Sequence, residues 1–175
     1  MLALGLGCGL ESGEIIPLRA ADVRTGPTAD SPTADTNLVP VAAADDQVVV
    51  AVRGRRARLV VCRRAWERVL ADRAEHALRI GGEPGGYLFR ANAAVRGGNI
   101  VTNFLARTHA APGVAPLKTS RLRATWLVGL IDAGVPLTVI VSAAGLDTLH
   151  SLTRLLPFVR TADPGQAATL LRGSP

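Results

Sequence analysis

The stretch that decides the fold is Thr119–Ile131, which reads TSRLRATWLVGLI. Its apolar residues recur every three to four positions, a spacing typical of a helix that packs on a core. Either of its first two residues, Thr119 or Ser120, can cap the helix, and Gly134 ends it. The next apolar run, residues 136–143, predicts a buried helix that a glycine at position 145 closes.

Further towards the N-terminus, two runs rich in β-branched residues predict an antiparallel hairpin. Val48–Val52 and Arg58–Cys62 are the strands, and Arg53-Gly54-Arg55-Arg56 is the turn. Six arginines fall between positions 53 and 64. Charges of one sign protect an exposed strand edge, and arginines also suit contact with phosphate groups, so both roles remain open for this hairpin.

The other segments complete a mainly α fold with a small antiparallel β-sheet, an α+β class. Helical patterns cover residues 64–79, 98–110, 149–156 and 166–171, and residues 2–22 predict two short helices, with Ser12 as N-cap and Glu14 in the first turn of the second. Trp66 and Trp126 are predicted to be core residues. Residues 24–46, rich in Pro, Thr, Asp and Ala, predict a flexible insertion. We expect one domain over residues 1–160, with a short helix and tail at 161–175.

Composition excludes several classes of protein. The chain has 175 residues, a net charge of +6, and 19 arginines among its 20 basic residues. Either the coding bias of a GC-rich genome or an anionic partner explains this composition. No apolar run approaches the ~18 residues of a membrane helix, so we expect no membrane association. Two cysteines and three scattered histidines predict neither a disulfide framework nor a metal site, and a cytoplasmic location fits. No cofactor is expected.

Four motifs, in this order, resemble the catalytic domain of the tyrosine recombinases, the phage-integrase family. Gly9–Ile15 resembles the first box of that family, and Val52–Val60 resembles its basic hairpin. Leu88-Phe89 resembles the dipeptide before its mid-domain helix. Ser120–Trp126, which reads SRLRATW, resembles its second box, His-x-Leu-Arg-His-Thr-Phe. The resemblance covers roughly residues 2–160 and implies a recombinase-like fold.

The resemblance also implies which positions carried the chemistry, and most of them have changed. In the family a tyrosine attacks a DNA phosphate, arginines and a histidine stabilise that phosphate, and a lysine protonates the leaving oxygen. The corresponding positions in this chain are Glu11 and Arg123 for the two arginines, Arg55 or Arg56 for the lysine, Ser120 for the second-box histidine, Leu146 for the later histidine and Leu155 for the tyrosine. Glu11 is expected to cap a helix or pair with Arg19 or Arg123, and Arg123 is either a structural ion-pair residue or a phosphate ligand.

The sequence therefore favours a catalytically inactive, recombinase-like or integrase-like domain that binds DNA or a related recombinase. The expected contacts with phosphates, of low sequence specificity, are Arg53, Arg55, Arg56, Arg58, Arg121 and Arg123. Self-association is a further expectation, as is a nucleoid location if DNA is bound. Two alternatives remain: a decayed mobile-element remnant or interaction module without DNA binding, and an active recombinase with altered catalytic residues.

Overall fold

The fold is mainly α-helical with one small antiparallel sheet, as the sequence predicted. The computed structural model describes residues 1–26, 47–81, 86–91, 93, 96–108 and 111–173. The helices in these residues are α1 (Ser12–Ile15), α2 (Arg64–Gly81), α3 (Ile100–Ala106), α4 (Thr119–Asp132), α5 (Leu137–Ala144), α6 (His150–Thr153) and α7 (Pro164–Arg172). A π-helical turn at Ala3–Gly7 and 3-10 turns at Ala20–Asp22 and Leu156–Phe158 complete the helical elements.

Three strands form the sheet in the order β1-β2-β3, with both pairs antiparallel: β1 is Val23–Thr25, β2 is Val48–Val52 and β3 is Arg58–Val61. The β2–β3 hairpin was predicted, but β1 was not, because residues 24 and 25 were assigned to the insertion. They pair with Val49 and Val48, so the assignment of these two residues to a loop is wrong. The rest of the predicted insertion, residues 27–46, lies outside the described residues.

The core lies between the sheet, the N-terminal turns and the long helices α2 and α4. Trp126 is buried at its centre, as predicted, together with Leu10, Ile15, Leu70 and Ile140. Trp66 is only partly buried. It lies on the same side of α2 as Leu70 and Ala74, but in the first turn of the helix, where it packs against Gly7 at the edge of the core.

Several local predictions need correction. Glu11, and not Ser12, is the N-cap residue of α1, and the Ser12 hydroxyl lies 2.9 Å from that of Thr119 at the start of α4. Helix α5 buries Ile140 and Ala144 but exposes Leu137 and Val139, so it is buried along one side only. Among the described residues, no helix is both long enough and apolar enough to cross a bilayer.

Gly9 joins the N-terminal turn to the core and requires glycine for two reasons. Its φ of +62° is unfavourable for other residues, and a Cβ there would lie 2.2 Å from Cε3 of Trp126. The chain can therefore turn closely around the indole of Trp126 only because position 9 has no side chain.

Gly9→Ala is expected to lower the free energy of unfolding by about 2–4 kcal/mol, since it combines backbone strain with overpacking of the core. Gly13→Ala is the matched control, because a Cβ at this helical position meets no atom within 4 Å. The control is expected to change stability by less than about 1 kcal/mol. Urea unfolding followed by circular dichroism measures both, and equal effects of the two substitutions would contradict the account of Gly9.

Candidate functional site

A polar cavity of about 200 Å³ lies where the start of α1, the hairpin, α4 and the segment 146–155 meet. We call it the α4 cavity. It is lined by Glu11, Arg56, Ser120, Arg123, Ala124, Leu127, Leu146, Asp147, Thr148, Ser151, Arg154 and Leu155. The structure thus brings together Glu11, Ser120, Arg123, Leu146 and Leu155, which the resemblance had placed in one site. Of the two candidates for the lysine position, Arg56 lines the cavity, whereas Arg55 is exposed on the hairpin turn outside the lining.

Arg123, on α4, is buried and connects three elements. Its Nη1 donates a 2.5 Å hydrogen bond to the carbonyl of Gly9, and its Nη2 donates to the carbonyl of Ala144 at the end of α5. Its Nε lies 3.2 Å from Oε1 of Glu11, and its Nη1 lies 3.9 Å from Oε2 of Glu14. Arg123 therefore has a structural role here, and Glu11 pairs with Arg123, one of the two partners expected for it.

Arg58, on β3, binds the same end of α5. Its Nε donates a 2.7 Å hydrogen bond to the carbonyl of Ala143, next to the carbonyl that Arg123 binds. The last carbonyls of a helix have no partner within the helix and carry partial negative charge, so two guanidinium groups stabilise them. Gly145 permits this approach, because a Cβ there would lie 2.9 Å from Nη1 of Arg58 and the residue has a φ of +60°.

Glu14, on α1, supplies the counter-charge to both arginines, and we call Glu14, Arg58 and Arg123 the charge cluster. Oε1 of Glu14 accepts a 2.6 Å hydrogen bond from Nη1 of Arg58, and Oε2 accepts one of 2.9 Å from the backbone N–H of Glu11. Burial of Glu14 disfavours its charged form, but the hydrogen bonds from Arg58 and Glu11 and the charges of Arg58 and Arg123 outweigh burial. They hold the pKa of Glu14 below its ordinary value.

Burial is also the largest influence on the pKa of Arg123. It lowers that pKa, while the charges of Glu11 and Glu14 act in the opposite direction. Arginine ordinarily keeps its proton far above neutral pH, so Arg123 remains charged at pH 7.

The expected phosphate contacts divide into exposed and buried residues. Arg53, Arg55, Arg56 and Arg121 are exposed, although Arg53 forms a 2.5 Å ion pair with the buried Asp22 and Arg56 one of 3.1 Å with Asp147. Arg58 and Arg123 are buried, with side chains 4% and 7% exposed, and their guanidinium groups serve the charge cluster. Arg58 and Arg123 thus differ from the four exposed arginines, because their guanidinium groups are buried and already paired with carboxylates and carbonyls.

The sequence analysis missed two charged residues of the cavity, Asp147 and Arg154. Arg154 was within reach of sequence reasoning, because it is next to Leu155, which the resemblance places in the site. Asp147 lies in a bend before α6, so no helical spacing connects it to the site.

In the α4 cavity, a leucine occupies the position that the resemblance gives to the nucleophile. Leu155 has no atom that can act as a nucleophile. Tyr87 is the only tyrosine of the chain and lies outside the lining. Its ring stacks against the guanidinium of Arg96, 3.7 Å from the ring centroid, and against that of Arg19 at 4.4 Å. The hydroxyls of Ser120, Thr148 and Ser151 can donate hydrogen bonds to an anion in the cavity.

Comparison with known proteins gives a match in structure but none in sequence. No protein-family model matches the chain, and no curated protein matches it. A solved structure described as the crystal structure of XerA recombinase is similar over 99% of this chain, with a TM-score of 0.57 and 15% sequence identity. The fold is recombinase-like. The chain spans 55% of the length of XerA recombinase, so the recombinase-like fold corresponds to about half of that protein.

Glu14→Gln is expected to destabilise the protein by about 2–4 kcal/mol at pH 7, because it leaves Arg58 buried without its counter-ion. The effect should shrink in acid. The pKa of Glu14 is lower in the folded chain than the ordinary value of 4.5, so the carboxylate stabilises the fold fully above about pH 4.5. That stabilisation is lost as the pH falls through the folded pKa, below 4.5.

Urea unfolding at pH 7 and at several values below pH 4.5 measures this dependence. Glu75→Gln is the control, because Glu75 forms an exposed ion pair with Arg79 and such pairs contribute little. A Glu14→Gln effect that did not change with pH would contradict the assignment of the acid sensitivity to Glu14.

Proposed function

We propose that this chain is a DNA-binding, recombinase-like domain that does not itself cleave or rejoin DNA strands. The observation that carries the proposal is the α4 cavity, in which a carboxylate, Glu11, pairs with Arg123 beside Leu155. The recombinase-like fold provides the context of DNA recombination, and the exposed arginines of the hairpin provide the binding surface.

The loss of strand cleavage follows from the side chains of the α4 cavity. The resemblance implies a tyrosine nucleophile at the position of Leu155, and leucine cannot form a bond to phosphorus. Glu11 stands where the resemblance implies an arginine, and two like charges about 4 Å apart repel by ~4 kcal/mol at an effective dielectric of ~20. Arg56 cannot replace a lysine as general acid, because arginine does not release its proton near neutral pH.

Retained DNA binding follows from charge and exposure. Arg53, Arg55 and Arg56 lie together on the hairpin turn, and the whole chain carries a net charge of +6. Arginine side chains bind phosphate oxygens in any base sequence, so we expect affinity for the DNA backbone with little sequence preference. A cytoplasmic domain that binds DNA in this way would be associated with the nucleoid. A related recombinase or a second copy of the chain is a further candidate partner.

One observation favours the alternative of an interaction module without DNA affinity. Arg53 and Arg56 already have carboxylate partners, Asp22 and Asp147, which reduces the charge that the hairpin offers to DNA. The remaining alternative, an active recombinase with altered residues, would have to use a hydroxyl of the cavity, such as that of Ser151.

Fluorescence polarisation with a labelled DNA duplex tests binding. We expect measurable affinity at 50 mM salt that falls steeply as salt increases, because binding releases counter-ions from the phosphates. Arg55→Ala/Arg56→Ala should weaken binding about tenfold and reduce the slope of log K against log salt by about 0.9 for each phosphate that the variant no longer neutralises. Arg68→Ala/Arg79→Ala removes the same charge from exposed positions on α2 and is the matched control. No binding at low salt, or equal effects of the two variants, would count against the hairpin as a DNA interface.

A nicked duplex that traps a covalent intermediate tests the loss of cleavage. We expect no protein–DNA adduct on a denaturing gel, because the position corresponding to the nucleophile is Leu155. A known tyrosine recombinase with its own substrate serves as the positive control. An adduct that disappears on Ser151→Ala would instead support the active alternative.

A further inference from the structure

The α4 cavity contains a carboxylate that occupies the place of an anionic ligand. We propose that Glu11 is an internal competitor that excludes phosphate from the cavity, so that DNA contacts the hairpin without entering it. This inference rests on the proposed function, because it concerns how the same domain meets the DNA backbone.

The cavity is otherwise equipped to bind an anion. Its lining includes three arginines (Arg56, Arg123 and Arg154) against two carboxylates (Glu11 and Asp147), together with the hydroxyls of Ser120, Thr148 and Ser151. Asp147 pairs with Arg56 at the exposed edge, where the two side chains are 72% and 44% exposed. Glu11 is the carboxylate on Arg123, with 3.2 Å between Oε1 of Glu11 and Nε of Arg123. Removing the charge of Glu11 would leave the cavity with three cationic groups and one anionic group.

Neutralising Glu11 leaves Arg123 with other partners. The side chain of Glu11 is 53% exposed and that of Arg123 is 7% exposed, and Glu14 remains as a second carboxylate, 3.9 Å from Nη1 of Arg123. Arg123 keeps its hydrogen bonds to the carbonyls of Gly9 and Ala144 whatever stands at position 11. The cap of α1 uses the backbone N–H of Glu11, which donates to Glu14 and is also present in a glutamine variant. A half-exposed carboxylate that faces a basic cavity therefore also acts on which anions can enter that cavity.

The three arginines approach the cavity from different elements, which suits a tetrahedral phosphate better than a flat carboxylate. Arg56 comes from the hairpin and Arg154 from the segment after α6, both with exposed side chains, and Arg123 on α4 offers only the Nε that now faces Glu11. A phosphodiester has two non-bridging oxygens that share one negative charge and can accept such hydrogen bonds simultaneously. The ligand excluded by Glu11 is therefore a phosphodiester of the DNA backbone or a free phosphate ion, which share this chemistry.

Glu11→Gln tests the inference. In fluorescence polarisation at 50 mM salt, we expect this variant to bind duplex DNA about tenfold more tightly than the unmodified protein. The salt slope should increase by about 0.9, the value for one additional neutralised phosphate. Asp72→Asn is the matched control, because it removes one negative charge from an exposed ion pair on α2. The control should change the affinity less than twofold.

A double-mutant cycle with Arg154→Ala distinguishes entry into the cavity from a general gain of positive charge. Arg154 is exposed and lines the cavity, so its removal should leave the fold intact. Arg154→Ala alone should weaken DNA binding no more than about twofold, whereas in the Glu11→Gln background it should abolish most of the tenfold gain. Equal effects of Arg154→Ala in both backgrounds, or a Glu11→Gln gain no larger than that of Asp72→Asn, would overturn the inference.

Inorganic phosphate provides a second measurement that does not depend on DNA binding. Phosphate should raise the thermal unfolding midpoint of Glu11→Gln above its value in chloride of equal ionic strength, and should not do so for the unmodified protein. If the unmodified protein binds no DNA, the proposed function fails and this measurement still decides the role of Glu11. If DNA binds but Glu11→Gln responds to phosphate as the unmodified protein does, the inference about Glu11 fails alone.

Discussion

The charge cluster of Glu14, Arg58 and Arg123 is the interaction on which the rest of the structure depends. Through it, α1, β3 and α4 are joined to the C-terminal end of α5, whose last carbonyls accept hydrogen bonds from both arginines. Removing charges from water is costly, and hydrogen bonds offset that cost for most polar atoms of the cluster, although Nη2 of Arg58 is buried without a hydrogen-bond partner. Here Glu14 supplies the negative charge, the end of α5 supplies carbonyls, and Gly145 supplies the space that Arg58 needs. These elements are therefore fixed relative to one another around the α4 cavity.

This arrangement separates two roles that the resemblance would assign to Arg123. Both of its Nη atoms are bonded to backbone carbonyls, and its Nε, the one N–H left for a phosphate, faces Glu11. A chain that had lost strand cleavage would still need Arg123, because replacing it would leave the carbonyls of Gly9 and Ala144 buried without donors. Leu155 is under no such constraint from polar partners. Substitution of Arg123 is therefore expected to destabilise the fold, whereas position 155 requires only an apolar side chain that fits the core.

The sequence predicts the helices and the hairpin better than it predicts the cluster. Apolar spacing located α4, and β-branched residues located β2 and β3, because these signals are local. The burial of Arg58 had a local signal too, since residues alternate between the two faces of a strand and position 58 shares a face with the buried Val60. Its counter-ion Glu14 lies 44 positions away, however, and no spacing in the sequence connects the two. The strand β1 was not predicted because its signal is also non-local: Val23–Thr25 is a strand only through its pairing with β2.

Under the proposed function, the ion pairs of the hairpin arginines do not prevent phosphate contact, because exposed ion pairs are weak. Arg56 and Asp147 are both largely in water, so their pairing contributes at most about 1 kcal/mol and breaks readily. Arg53 differs, because its partner Asp22 is buried and also accepts a hydrogen bond from the backbone N–H of Arg19. Asp22 therefore holds Arg53 at the base of the turn, while Arg55 and Arg56 are free to adjust to a phosphate. A surface of this kind draws its affinity from the summed positive field more than from any fixed contact, which is why it would follow the DNA backbone without reading the bases.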